Sequence, residues 1–240
     1  MCGRIDQNHN ARFYAHAFGW ADVVDRSQAA PRFNAPPGTF RPLMHIEDEQ
    51  ACIDDLYWGY RARGCEGKVP IAINARMNKI QGRYWSRLLK AGRAIVPADG
   101  WYEWTGEKGS KQPWHIHQAG GEPLFMLALA NFGSGGEHPS EAGFVIVTAD
   151  ADDGMLALHD RRPLVLRPAD AALWLDPFIA PDQAVEIARS AALGREAFAW
   201  HPVSTELNRA TSEGAHLVAA IAAEPELSAL GAARPLAVRL

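Results

Sequence analysis

Apolar positions along the chain fall in short runs separated by turn residues, the pattern of many strands rather than of long helices. Phe40 to Ile46 and Ala51 to Trp58 read as two strands joined by the acidic turn Glu47-Asp48-Glu49. Further strands are predicted at Arg93 to Pro97, Trp114 to His117, Leu124 to Ala130, Phe144 to Thr148, Leu164 to Leu166 and Phe198 to Val203. Ile71-Ala72-Ile73 leads into Asn74-Ala75-Arg76, a strand end that carries polar groups. Helical spacing is confined to Arg12 to Trp20, Tyr84 to Ala91 with Gly92 as its C-cap, Ala169 to Leu175, and Asp182 to Ala192 with Asp182 as a capping residue. Proline and glycine mark Arg32 to Thr39, Gly59 to Val69 and Ser134 to Ser140 as loops. Many short strands with a few helices predict an α+β or mainly β domain. No repeat and no break in composition divides it. One domain is expected over residues 1–224, followed by an Ala-rich tail over 225–240 that is expected to be poorly ordered.

Composition adds limits. At 240 residues, 48% hydrophobic and 22% charged, the chain is an ordinary soluble globular protein with ample length for a core. No apolar run approaches the roughly 20 residues of a membrane span, and the polar start MCGRIDQNHN is no signal peptide. Three cysteines, Cys2, Cys52 and Cys65, are odd in number and lack CxxC spacing, which argues against a disulfide framework or a zinc site. A reducing compartment, the cytoplasm, is expected. The net charge is −4, yet Arg61, Arg63, Lys68, Arg76, Lys79, Arg83, Arg87, Lys90 and Arg93 meet only one acid, Glu66, over their span. That segment suits a local anionic partner or a solvated basic face, and charge alone leaves both open.

The candidate chemistry begins at the first residues, Met1-Cys2-Gly3-Arg4. Aminopeptidases remove an initiator Met when the next side chain is small, and Cys2 would then carry a free α-amine and a thiol. An amine of pKa about 8 condenses with an aldehyde to an imine, and a thiol of pKa about 8.5 can close a five-membered thiazolidine on it. Asn74 and Arg76, two positions apart at a strand end, can point to one side, although taken alone they read as a turn Asn and a surface Arg. Glu103, inside Trp101-Tyr102-Glu103-Trp104, is either a strand residue facing water or an acid in an apolar pocket. In a pocket, desolvation would raise its pKa and let it shuttle protons near neutrality. His159 precedes Asp160-Arg161-Arg162-Pro163; it can protonate a sugar oxygen while Arg161 holds a phosphate, or it is a core-edge histidine. Thr148 ends its strand with a hydroxyl that can bind phosphate or start a turn. His115 and His117 have strand spacing, but without a third ligand nearby in sequence a half-exposed strand face is expected rather than a metal site. Cys52 reads as core and Cys65 as a loop thiol. GxGxxG, P-loop, GxSxG and HExxH motifs are absent.

Together, the N-terminal Met-Cys-Gly-Arg, Asn74-Ala75-Arg76, Val96 to Trp104 (VPADGWYEW) and His159-Asp160-Arg161-Arg162-Pro163 resemble the SOS response-associated peptidase (SRAP) family, and Pro202-Val203-Ser204 with Asn208 resembles its closing motif. The resemblance implies a compact, β-rich, barrel-like sheet core with flanking helices and a positively charged channel for single-stranded DNA. It also implies covalent capture of abasic sites: the ring-opened sugar presents an aldehyde, which the N-terminal cysteine converts to a thiazolidine. By the same resemblance Cys2 is the nucleophile, Asn74 positions it, Glu103 is the acid/base, and His159 assists ring opening and reversal. Arg4, Arg76, Thr148 and Arg161 would contact phosphates, and Trp104 would pack at the site. The peptidase label refers to release of Met1. No cofactor or metal is implied, and the protein is expected to be a monomer. The chain departs from the family pattern at Asn78, at Arg162, and after Trp58-Gly59-Tyr60. Two other readings stand beside this one: a cysteine hydrolase with Cys2 as nucleophile and His159 as base, and a non-catalytic single-strand binder.

Overall fold

A computed structural model of the chain describes residues 2–133, 136–151, 155 and 157–221. The first elements are β1 (Ile5–Gln7), α1 (Ala11–Phe18), β2 (Val24–Asp25), β3 (Arg32–Ala35), β4 (Phe40–Glu47) and β5 (Gln50–Trp58). Then come β6 (Asn74–Arg76), α2 (Ser86–Ala91), β7 (Arg93–Ala98), β8 (Gly100–Thr105), β9 (Gln112–Gln118) and β10 (Leu124–Ala130). The last are β11 (Gly143–Asp150), β12 (Arg161–Pro163), β13 (Val165–Leu166), α3 (Pro168–Leu175), α4 (Pro181–Ser190) and β14 (Phe198–Pro202). Short 3₁₀ turns at Thr205–Asn208 and Ala215–Val218 lie in the segment that follows β14. The α+β, β-rich expectation holds. The predicted tail lies outside the described residues, as do parts of the predicted 134–140 loop and of the stretch before His159.

Two sheets make the frame. The smaller runs β14-β9-β8-β1-β3; the larger runs β12-β11-β10-β7-β4-β5-β2, with β13 on β10 and β6 on β11. A parallel pairing of β11 with β5, Gly143 to Tyr57 and Phe144 to Trp58, joins β5-β4-β7-β10-β11 into a ring of strands. That closure needs glycine: a Cβ at Gly143 would lie 2.0 Å from the Gly59 carbonyl oxygen. The β4–β5 hairpin turns on Asp48 and Glu49, whose φ angles of 48° and 64° give both central residues the left-handed backbone of a tight two-residue hairpin turn.

Alternation along β10 divides the interior. Phe125, Leu127 and Leu129 face a core shared with the helices, where Phe18, Leu88, Trp174 and Val185 pack. Leu124, Met126 and Ala128 face the other way, into a core between the two sheets that includes Ile5, Trp101, Trp114 and Cys2. Every residue of β10 is buried, as an apolar strand covered on both faces must be. Helix α1 buries Ala11, Tyr14, Ala15 and Phe18, capped by the Asn10 side chain at its start and by left-handed Gly19 at its end. Asp182 does not cap α4 as expected. The N-cap is Ala180 with Pro181 in the first turn, and the Asp182 carboxylate accepts from Gln81 Nε2 at 3.0 Å instead.

One cation of the basic segment is not available to any partner. Arg93 is 8% exposed, and its guanidinium donates to the carbonyls of Trp174 (2.6 Å), Leu89 (3.1 Å), Asp176 (2.5 Å) and Ile179 (3.0 Å). It ties the ends of α2 and α3 to β7, because helix C-termini leave carbonyls without intrahelical partners. Arg93→Met is expected to leave those acceptors unpaired and to lower stability by about 3 kcal/mol, read from urea denaturation with the m-value unchanged.

Candidate active site

The site forms where the β1/β8 side of the smaller sheet meets the β6–β11–β12 side of the larger one. Asn74 Nδ2 donates to the Cys2 carbonyl oxygen at 2.8 Å, a bond that spans the two sheets. Ile146 pairs with Asn74 and Thr148 with Arg76 across β11 and β6, while Asp150 pairs with Arg161 across β11 and β12. On the other side Ile5 of β1 pairs with Trp101, and the Tyr102 N–H donates to the Arg4 carbonyl at 3.1 Å, so residues 2–4 run beside Glu103.

Glu103 lies in the apolar pocket that was one of its two predicted environments. It is 4% exposed, and burial is the largest cause of a carboxyl pKa raised from 4.5 to about 7; the Asp160 charge adds to the rise. The acid therefore titrates near neutral pH. Cys2 is fully buried, and burial, reinforced by the Glu103 charge, pushes its thiol well above the ordinary value. In this state the sulfur is held as a protonated thiol. Asn74 Oδ1 is buried and has no hydrogen-bond partner among the described residues, which leaves an acceptor next to Cys2.

His159 is half-buried. Its Nδ1 lies 2.7 Å from Asp160 Oδ1 and accepts from the Arg161 N–H at 3.0 Å, and burial lowers its pKa. Arg161 is 6% exposed and already engaged. Its Nη1 donates to Asp150 Oδ1 at 2.7 Å, and its Nη2 to the Thr148 carbonyl at 2.8 Å and hydroxyl at 3.1 Å. Thr148 is fully buried under it. A phosphate reaching Arg161 would compete with Asp150. Arg76 is exposed and carries no ion pair among the described residues.

Beside Cys2 an open groove of about 480 Å³ is lined by Gly3, Arg4, Trp104, Gly109, Lys111 and Asn208. The Arg4 guanidinium lies 5.6 Å from the Trp104 ring centroid. A larger depression, of about 660 Å³, lies over β4 and β5 and contains none of the predicted residues. Its Arg26 and His45 are both tied to Asp54, at 2.6 and 2.7 Å, whereas the groove by Cys2 has the predicted residues Arg4 and Trp104 in its wall.

Two features were not legible in the sequence. His115 is buried, not half-exposed as expected, and burial pushes it down to about 3, so it is neutral at physiological pH. A third imidazole, His201 on β14, meets His115 and His117 at centroid distances of 5.5 Å, because β14 pairs with β9 in register. No group of side chains among the described residues is arranged to hold a metal ion. The second feature is Asn34. It is fully buried: its Oδ1 accepts from Arg4 Nη1 at 2.5 Å, and its Nδ2 donates to the Arg209 and Ser212 carbonyls at 3.0 Å. Arg32 to Thr39 read as a loop, whereas Arg32–Ala35 forms β3 and carries Asn34 into the interior.

Comparisons with known proteins identify the family. The family model for SOS response associated peptidase (SRAP) matches residues 1–210. The chain is 40% identical over 225 residues to abasic site processing protein YedK of Escherichia coli K12, covering 91% of this chain and 99% of that protein. It is 27% identical to abasic site processing protein HMCES of Gallus gallus, covering 87% of this chain and 74% of that one. A crystal structure of a phage-related protein from Bordetella bronchiseptica superposes with a TM-score of 0.73 at 39% identity, covering 85% of this chain and 95% of that one. Matched over seven-eighths of its length by the family model, the chain belongs to the SOS response associated peptidase (SRAP) family.

Proposed function

We propose that this protein captures abasic sites in single-stranded DNA through a covalent bond to Cys2. The observation that carries the reading is the junction of Asn74 with Cys2 next to a carboxyl poised near pH 7. Relatives named abasic site processing proteins support the substrate class. After release of Met1, the Cys2 amine attacks the C1′ aldehyde of the ring-opened sugar, and loss of water gives an imine. The thiol then adds to the carbon of the protonated imine, its proton goes to the Glu103 carboxylate, and a thiazolidine closes. Glu103 gives a proton to the departing hydroxyl and takes it back from the thiol, which removes the need for a preformed thiolate. In this reading Asn74 Oδ1 accepts from the freed amine, and His159 protonates the sugar ring oxygen. Release of Met1 is the peptidase step of this reading, and slow reversal of the crosslink would register as lyase activity. Arg4, Arg76, Trp104 and Arg161 serve the DNA backbone, with Arg161 exchanging Asp150 for phosphate and Thr148, buried beneath it, holding its guanidinium. One chain carries every residue required, so a monomer suffices, and the free thiol suits the cytoplasm. A cysteine hydrolase is less well supported, because the Cys2 thiol is held protonated by burial.

Intact mass of the purified protein, before and after incubation with single-stranded DNA carrying one abasic site, tests the proposal. The expected result is loss of Met1 and then an adduct of protein plus DNA minus one water that survives denaturation. Met1 removed and no adduct would reject it. The yield should fall steeply with salt, since backbone contacts dominate the binding.

A further inference from the structure

The segment after β14 crosses the smaller sheet on the face opposite Cys2 and reaches the groove with its 3₁₀ turn. Val203, Leu207 and Leu217 pack it on Tyr102, and Glu213 fixes it to β3 by accepting from Arg32 Nε and from the Phe33 and Asn34 N–H groups. At the groove it ends on two side chains of the site. Trp104 Nε1 donates to Asn208 Oδ1 at 2.7 Å, while Asn208 Nδ2 donates to the Lys111 carbonyl at 3.1 Å. Arg4 Nη1 donates to the Leu207 carbonyl at 3.2 Å and to Asn34, whose own amide is bound to the segment at Arg209 and Ser212.

The geometry points to Asn208 as a positioning residue for DNA: it fixes the Trp104 indole, and with Asn34 and the Leu207 carbonyl holding Arg4, it presets the groove wall beside Cys2. This rests on the proposed function and adds a residue that touches neither the sugar nor the reacting atoms. The physical reason is entropic. A half-exposed indole and a long guanidinium side chain each lose rotamer freedom when a strand of DNA packs on them, and a wall already held in one rotamer loses less. Trp104 has a single polar atom, and Asn208 holds it. The Arg4 guanidinium over the ring restrains the same rotamer.

Fluorescence anisotropy with intact single-stranded DNA, and crosslinking rate as a function of abasic DNA concentration, test this on the full chain. Asn208→Ala is expected to raise the DNA concentration for half-saturation roughly three- to tenfold, the cost of immobilising one or two side chains. The rate at saturating DNA should stay within about twofold of wild type, because the Cys2 chemistry is untouched. Trp104→Phe keeps a ring and removes the N–H, so it should reproduce the same loss. In the Trp104→Phe background Asn208→Ala should then cost less than about twofold more. Independent, multiplicative losses would overturn the inference, as would half-saturation unchanged in Asn208→Ala or a fall confined to the saturating rate. Should Asn208→Ala fail to fold, judged by its melting curve, Trp104→Phe alone decides: unchanged affinity overturns the inference. Wild type that binds intact single strands but forms no adduct rejects the proposed function while leaving the anisotropy test in force. Wild type that binds no single strand rejects both.

Discussion

Cys2→Ala is expected to abolish the denaturation-resistant adduct completely while leaving an imine that borohydride can trap. Alanine is as permissive as cysteine for removal of Met1, so the variant should still present a free α-amine. It lacks the sulfur that closes the ring, and the imine remains open to hydrolysis. The decisive comparison is therefore intact mass with and without reductant, on wild type and variant. Wild type should give the stable adduct in both conditions and Cys2→Ala only with reductant. An adduct of undiminished stability in Cys2→Ala would remove the thiol from the mechanism. The buried site loses one sulfur atom, a small cavity that costs about 1 kcal/mol, so the fold should survive the test. The same variant separates the alternatives weighed from the sequence. A hydrolase would lose turnover of amide substrates without DNA, and a simple binder would be unaffected.

Glu103→Gln should slow adduct formation by about a hundredfold or more, the range for loss of a positioned general acid/base. The pH dependence carries the sign. With a folded pKa near 7, the wild-type rate should show an inflection close to pH 7 that Glu103→Gln lacks. Stability should move the opposite way. The folded pKa is raised above the ordinary 4.5, so the protonated acid is the form that folding favours. Its contribution is fully present below pH 4.5 and is lost as pH rises through 7, by roughly 3 kcal/mol at most for this partly screened site. Glutamine cannot ionise, so Glu103→Gln should be no less stable than wild type at pH 6 and more stable at pH 8. Urea denaturation at those two pH values checks it. A variant that is slower yet more stable above pH 7 is the mark of an acid kept in its pocket for chemistry. Slower and less stable throughout would instead make Glu103 a structural residue.

Most of the strands were legible in the sequence because their patterning is local. Leu124 to Ala130 is apolar at every position, Phe144 to Thr148 is rich in β-branched residues, and the paired runs around Asp48 and Glu49 form the hairpin the turn predicted. The nucleophile position, the WYEW acid and the Asn-Ala-Arg strand end were legible for a different reason. They are rare combinations at fixed spacing, and the family resemblance they support is one the family model bears out over residues 1–210. The environment of each was another matter. Whether Glu103 faced water or a pocket depends on which face of β8 meets Ile5 and Cys2, and that register is set by pairing with β1 and β9.

The sequence by itself therefore determined the β-rich class, the order of elements and the identity of the groups that can do chemistry, since each depends on neighbours within a few positions. Only the tertiary structure decided what those groups are. Burial, which sums contributions from distant strands, raises the Glu103 pKa to about 7 and keeps Cys2 a thiol. Pairing across more than a hundred residues bonds the Trp104 indole to Asn208, and folding of α3 around Arg93 withdraws one cation from a stretch that read as uniformly basic. Desolvation and long-range pairing are properties of the folded surroundings, and no window of sequence contains them.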